Sequence, residues 1–192
     1  MLRGAPQRCD MHGSIFVELR EYIGATYGAG HWEGVLNASG IGYKEYAANE
    51  VYSDLDAVRI VAAAADRTQK PLHELLEDFG EYLSTSLIER FVTLIDPAWK
   101  TLDLLEHVEE TIHTVIRGSS AKADPPRLRC RRLSRTEVVV EYDSPRKMCS
   151  LAKGLIRGLA RFYGDPIVLE ETACMLKGDA ACELLVRLGD RR

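Results

Sequence analysis

Three side chains at alternate positions could bind a ligand that carries a carboxylate. Tyr142, Ser144 and Arg146 follow one another at a spacing of two residues. In an extended segment, alternate side chains point to the same face, so two hydroxyl groups and one guanidinium would face one place. Hydroxyls donate hydrogen bonds, and a guanidinium can hold a carboxylate through two charge-assisted hydrogen bonds. The spacing therefore indicates carboxylate binding, with an ordinary strand end as the alternative.

His113 is a candidate metal ligand. It lies at the margin of a predicted apolar helix stripe that is formed by Leu102, Leu105, Val108, Ile112 and Val115. A neutral imidazole at such a place can bind a metal through one nitrogen, and a packed or hydrogen-bonded histidine is the alternative. After this helix comes a loop that two prolines, Pro125 and Pro126, hold in a restricted conformation.

Hydrophobic periodicity predicts the elements that must position these residues. The predicted helices cover 16–27, 32–38, 54 to about 65, 71–79, 83–95 and 98–117. Two strands follow over 127–133 and 137–144, then a helix over 147–163, then strands over 167–171 and 182–188. A helical first part followed by an antiparallel sheet with one covering helix is an α+β fold. Residues 1–10 are expected to be a loose extension.

Composition excludes several classes of protein. A formal net charge of -4 argues against nucleic acid as the main partner. No apolar run approaches the roughly 20 residues that span a bilayer, and no signal peptide opens the chain, so a cytoplasmic protein is expected. No nucleophile–base pair or catalytic carboxylate pair is recognisable, so we do not expect an enzyme. The basic stretch Arg127, Arg129, Arg131, Arg132 and Arg135 is interpreted as a solvated strand face, or otherwise as a patch for an acidic partner.

These features in this order resemble the H-NOX (haem–nitric oxide/oxygen-binding) family, from Met11 to about Leu188. The segment Glu110-Thr111-Ile112-His113 resembles the family's signature around the residue that holds the haem iron. Tyr142-x-Ser144-x-Arg146 matches its Tyr-x-Ser-x-Arg motif, and Pro126 lies 13 residues after His113, where the family carries a proline. A second alignment places Glu109 at the ligand position and lengthens the following loop by four residues. We prefer His113 because it needs no insertion before Tyr142.

The resemblance implies a five-coordinate ferrous haem b bound by a single domain over 11–190, with a distal helical part (11–70) and a proximal part with the sheet (71–190). In this picture His113 binds the iron, Pro126 presses on the porphyrin, Ile15 packs near it and Leu19 lines the distal side. The trio Tyr142, Ser144 and Arg146 binds the propionates. Family members that retain oxygen carry a distal tyrosine where this chain has Leu151. Because bound oxygen needs a hydrogen bond that leucine cannot donate, the chain is expected to bind NO and exclude oxygen.

Many family members also bind zinc through four cysteines. Cys149, Cys174 and Cys182 match three of these ligands, but the fourth would fall at Leu151. A closed structural zinc site needs four ligands, so zinc is not expected here. Reduced structural thiols are the preferred interpretation.

The resemblance therefore implies a sensor that signals to a separate protein. The expected partner is a histidine kinase or a cyclic-di-nucleotide signalling enzyme, because free-standing family members regulate such enzymes and the chain carries no recognisable output domain. The alternative is a haem-free ligand-binding or protein-interaction module on the same scaffold. A Soret band in the purified protein would distinguish the two.

Overall fold

The computed structural model describes residues 10–119 and 124–189, which form two compact units. The first unit contains the residues up to Leu72 together with the segment Ile116–Asp124. The second contains His73–Val115 and the residues from Pro125 onward. The sequence predicted one division near position 70 and not the return of the chain to the first unit. Most of the predicted extension lies outside the described residues, and its last residue, Asp10, begins a strand.

The first unit is a small helical body closed by a two-stranded sheet. Its elements are β1 (Asp10–His12), α1 (Gly13–Tyr27), α2 (His31–Ala38), β2 (Val51–Ser53) and α3 (Asp54–Thr68). Strands β1 and β2 pair antiparallel, which the sequence did not predict because each has only three residues. Phe16, Leu19 and Ile23 on α1 are buried, in keeping with the predicted helical spacing. The side chain of Ser53, and not that of Asp54, caps α3 by accepting from the backbone N–H of Leu55.

The second unit combines helices with a four-stranded antiparallel sheet. Its elements are α4 (Leu72–Arg90, whose first residue still belongs to the first unit), a 3-10 turn (Val92–Leu94), α5 (Thr101–Val108), a π-helical segment (Glu109–His113), α6 (Thr114–Ser119, which enters the first unit at Ile116), β3 (Arg127–Arg132), β4 (Glu137–Asp143), α7 (Cys149–Tyr163), β5 (Ile167–Ala173), a second 3-10 turn (Met175–Lys177) and β6 (Cys182–Leu188). The strand order is β3-β4-β6-β5.

The core of the second unit lies on one face of this sheet. Val138 and Val140 of β4 and Leu184 and Val186 of β6 alternate inward and are at most 2% exposed. They pack in one cluster with buried apolar residues of α5 and α7, namely Leu102, Leu104, Leu105, Ile156 and Leu159. Strands with one buried face read as alternating patterns, which is why the sequence predicted them well. The α+β class is confirmed.

Helices α4 and α7 pack so closely that glycine is required between them. A Cβ atom on Gly154 would collide with the backbone carbonyl of Glu77, and one on Gly80 would collide with the carbonyl of Leu151. The side chain of Glu77 also forms ion pairs with Lys153, at 3.2 Å, and with Arg157. The position of α7 is therefore fixed by backbone contact as well as by its apolar side chains.

One predicted helix is not regular. The span 98–117 was expected to be continuous, but the structure begins α5 at Thr101 and widens the helix over Glu109–His113. A π segment holds one extra residue in a turn and is often found at functional sites. It changes the direction of every side chain that follows, including that of Val115, which the sequence placed on the apolar stripe and which is 43% exposed.

Candidate functional site

The imidazole of His113 is held by a carboxylate of its own helix. His113 Nδ1 lies 3.0 Å from Oε2 of Glu109, and the His113 side chain is only 13% exposed. An ionised carboxylate can only accept, so Nδ1 carries the proton and donates. In that tautomer the lone pair is on Nε2, the nitrogen that would bind a metal. Metal-binding histidines usually have such a partner, which fixes the ring and raises its basicity.

The same carboxylate joins the π segment to the sheet. Oε2 of Glu109 also accepts the backbone N–H of Leu128 at 3.0 Å, on the edge strand β3. Leu128 is in turn the register partner of Tyr142 on β4. A continuous path of hydrogen bonds and strand pairing thus connects His113 with the first residue of the Tyr-x-Ser-x-Arg motif.

The motif residues come together through a turn and not through strand alternation. Strand β4 ends at Asp143, and the backbone N–H of Lys147 donates to the carbonyl of Ser144 at 3.0 Å. The backbone N–H of Arg146 donates to Oγ of Ser144 at 3.3 Å. The prediction of a strand through Ser144 was wrong by one residue, because the side chain of Ser144 stabilises the turn that ends the strand.

Tyr142 and Ser144 are both buried, at 4% and 1% exposed, and Arg146 is half-buried. Burial raises the pKa of Tyr142, while hydrogen bonds from the Ser144 hydroxyl and the Met148 backbone N–H, and the charge of Arg146, act in the opposite direction. The tyrosine oxygen therefore lies where hydrogen-bond donors and a positive charge converge. This is an environment that suits a carboxylate ligand.

The remaining predicted haem contacts lie in both units. Pro126 and Leu151 are half-buried in the second unit, with Leu151 in the first turn of α7. Ile15 and Leu19 lie on α1 in the first unit, where Leu19 is 2% exposed and Ile15 is half-buried. The residues of the second unit fit a haem in type, because they offer an imidazole with a defined tautomer together with donors for carboxylates.

Three cysteines form a second cluster behind Tyr142. The Sγ atoms of Cys149 and Cys174 are 3.8 Å apart, those of Cys174 and Cys182 are 4.0 Å apart, and all three lie within 4.8 Å of one another. They pack with Tyr142, which is paired with Cys182 across β4 and β6. Burial raises the pKa of the Cys149 thiol to about 12. Within residues 10–119 and 124–189 no further Cys, His, Asp or Glu side chain completes the group, so it does not fit a closed four-ligand zinc site.

The basic stretch of β3 is partly neutralised within the second unit. Arg129 pairs with Glu141 at 2.6 Å, and Arg132 pairs with both Asp103 and Glu106 of α5. Arg132 faces the helices, because alternate residues of β3 point inward. The stretch is thus a partly paired strand and not one uniform positive face.

Comparison with known proteins identifies the fold and the family. Residues 12–171 match the family model described as haem-NO-binding, which is most of the chain. The chain belongs to the haem-NO-binding, or H-NOX, family. The H-NOX protein from S. oneidensis, solved in its Fe(II)NO state, superimposes with a TM-score of 0.87 at 24% identity, over 94% of this chain and 100% of that one. A variant of T. Tengcongensis H-NOX gives a TM-score of 0.82 at 22% identity, over 94% of this chain and 98% of the other.

One curated relative extends far beyond the H-NOX domain. The soluble guanylate cyclase gcy-31 of Caenorhabditis elegans is 24% identical over 163 residues, which is 83% of this chain and 23% of the cyclase. The chain therefore spans about a quarter of that relative's length. H-NOX domains are haem-based gas-sensing domains that signal to partners. No helix in the described residues has the length and apolar character needed to cross a membrane.

Sequence reasoning missed the role of Glu109. It considered this residue only as a rival ligand, whereas the structure places its carboxylate on His113 and on Leu128. The signal was available, because an acid four residues before a histidine lies on the same face of a helix. The bond to Leu128, 19 residues away, had no local signal.

Proposed function

We propose that this H-NOX domain binds haem b through His113 and senses NO. The observation that carries the proposal is the path His113–Glu109–Leu128–Tyr142, which joins the proposed iron ligand to the proposed propionate site in one unit. A carboxylate that orients the imidazole is what a haem-binding histidine requires. Haem, when bound, supplies a ferrous iron with an open position for a diatomic gas.

Each residue of the chain has a definite task in this proposal. Nε2 of His113 binds the iron, and Glu109 holds the ring and keeps the proton on Nδ1. Tyr142, Ser144 and Arg146 hold the two propionates, which places the motif's donors against the ligand's negative charges. Pro126 packs against the porphyrin, and Ile15 and Leu19 of the first unit contribute apolar surface.

The gas preference follows from a missing donor. Leu151 occupies the position at which oxygen-binding relatives carry a tyrosine, and its side chain cannot stabilise the partial negative charge of bound oxygen. We therefore propose an NO sensor located in the cytoplasm of a bacterium, whose partner is a histidine kinase or a cyclic-di-nucleotide signalling enzyme. A stable oxygen complex after exposure of the ferrous protein to air would contradict the gas assignment.

Replacing the proposed iron ligand tests the proposal directly. We expect His113→Ala to lose the absorption spectrum of histidine-ligated ferrous haem, and exogenous imidazole to restore it. His73→Ala is the matched control, because the His73 side chain is 65% exposed on α4. An unchanged spectrum in His113→Ala would show that another residue, Glu109 being the first candidate, binds the iron.

The alternative function is a haem-free ligand-binding or protein-interaction module. It is favoured by the same geometry viewed differently, since His113, Glu109 and the Leu128 N–H form a complete hydrogen-bonded unit without a metal. Expression with ample haem separates the two. A folded protein without a Soret band would support the module and exclude the sensor.

A further inference from the structure

The cysteine cluster has the geometry of a three-coordinate metal site. Its three Sγ atoms come from the start of α7, the end of β5 and the start of β6, and two of their separations are 3.8 and 4.0 Å. A metal at about 2.3 Å from each of three sulfurs, and in their plane, separates the sulfurs by about 4.0 Å. The observed separations therefore already match a trigonal thiolate site.

The surroundings of the cluster exclude an easy fourth ligand. Cys149, Cys174 and Cys182 are 1%, 3% and 0% exposed, so solvent does not reach the sulfurs. Among the residues that the structure describes, no additional Cys, His, Asp or Glu joins the group. Zinc in structural sites takes four ligands, so it would remain one short.

The groups around the cluster are soft. Met175 packs against the three cysteines and brings a thioether, and it stands in the 3-10 turn between β5 and β6. The neighbouring residues of that turn, Leu176 and Lys177, are exposed, which gives a metal ion a short route from solvent. Thiolate and thioether ligands favour soft ions such as monovalent copper over harder ones.

We propose that Cys149, Cys174 and Cys182 bind one monovalent copper ion in a three-sulfur site, with Met175 as the adjacent soft group. Binding forms copper–sulfur bonds, and each thiol that becomes a ligand releases its proton to the buffer. The site is independent of haem, because none of its residues belongs to the proposed haem contacts. Failure of haem binding would leave this proposal intact.

A competition experiment tests the site. The reduced full-length chain is titrated without oxygen with Cu(I) held by a coloured copper chelator, and bound copper is measured after desalting. We expect one copper per chain, and X-ray absorption showing three sulfur neighbours at about 2.3 Å. Zn(II) offered in equal amount should not displace the copper. Copper that remains with the chelator, or zinc that is retained instead, would overturn the proposal.

Variants locate the copper. Cys174→Ser removes the sulfur shared by both short separations and should lose the copper, as should Cys149→Ser. Cys130→Ser is the matched control, because Cys130 is half-buried on β3 and outside the cluster. Retention by either cluster variant, or equal loss in Cys130→Ser, would refute the assignment. Circular dichroism reports whether the variants fold, and if neither does, the sulfur count of the wild-type protein decides.

Discussion

At the scale of single residues, Glu109 determines how His113 is presented. The sequence allowed two alignments, with either His113 or Glu109 at the ligand position, and the structure shows that the two side chains are hydrogen-bonded to each other. Glu109 also satisfies an N–H on the edge strand β3, which has no neighbouring strand on that side. One carboxylate thus serves the helix, the histidine and the sheet.

Removing this carboxylate should destabilise the protein whether or not haem is bound. In Glu109→Ala the backbone N–H of Leu128 and Nδ1 of His113 both lose the acceptor, and one such loss costs about 1–3 kcal/mol. The Glu109 side chain is 26% exposed, so we expect a value near the lower end, about 1 kcal/mol. Urea unfolding of the haem-free protein measures it. Glu110→Ala, at the exposed neighbouring position, should change the free energy of unfolding by less than about 0.5 kcal/mol.

At the scale of elements, α7 shows how a correctly predicted helix can be misread. The sequence pointed to a stripe of large residues that included Phe162, yet Phe162 is 52% exposed. Gly154, Gly158 and Ala160 are buried instead. Hydrophobic periodicity gives weight to large side chains, whereas α4 packs against the backbone of α7 at positions that have almost no side chain.

Adding one methyl group at this contact should be costly. We expect Gly154→Ala to lower the free energy of unfolding by about 1–3 kcal/mol, because the new Cβ would push α7 away from the Glu77 carbonyl. Gly24→Ala on α1 is the control. No heavy atom lies within 4 Å of its added Cβ, so the better helix propensity of alanine should stabilise the protein by about 0.5–1 kcal/mol. Equal effects of the two substitutions in thermal unfolding would contradict the close contact.

At the scale of the whole molecule, the chain leaves the first unit after Leu72, returns to it at Ile116 and leaves again after Asp124. The proposed iron ligand precedes the return by three residues, and Pro126 follows the second departure by two. The proposed haem contacts are therefore distributed over both units, with Ile15 and Leu19 in one and the remainder in the other.

A ligand that binds only the folded chain should stabilise it as a whole. If haem is bound as proposed, a free haem concentration of about 1,000 times Kd raises the free energy of unfolding by about 4 kcal/mol. We expect the thermal midpoint to rise with haem concentration in the wild-type protein and to rise less in His113→Ala. A midpoint that does not depend on haem would favour the haem-free module.

The sequence alone determined the helices and strands of more than about five residues, the α+β class and the motif residues. Each of these is expressed by a local pattern, such as a period of 3.6 or of 2, or a fixed spacing. It did not determine the π segment, the turn at Ser144 or the pairing of β1 with β2.

Tertiary structure alone decided the contacts between distant residues. The carboxylate of Asp165 accepts from the backbone N–H and the hydroxyl of Thr101, 64 residues away, and so caps α5 from across the unit. In the same way the fold brings three sulfurs from three elements within 4.8 Å. Such distances depend on how elements pack, and packing is set by the whole set of contacts and not by the residues near either partner in the chain.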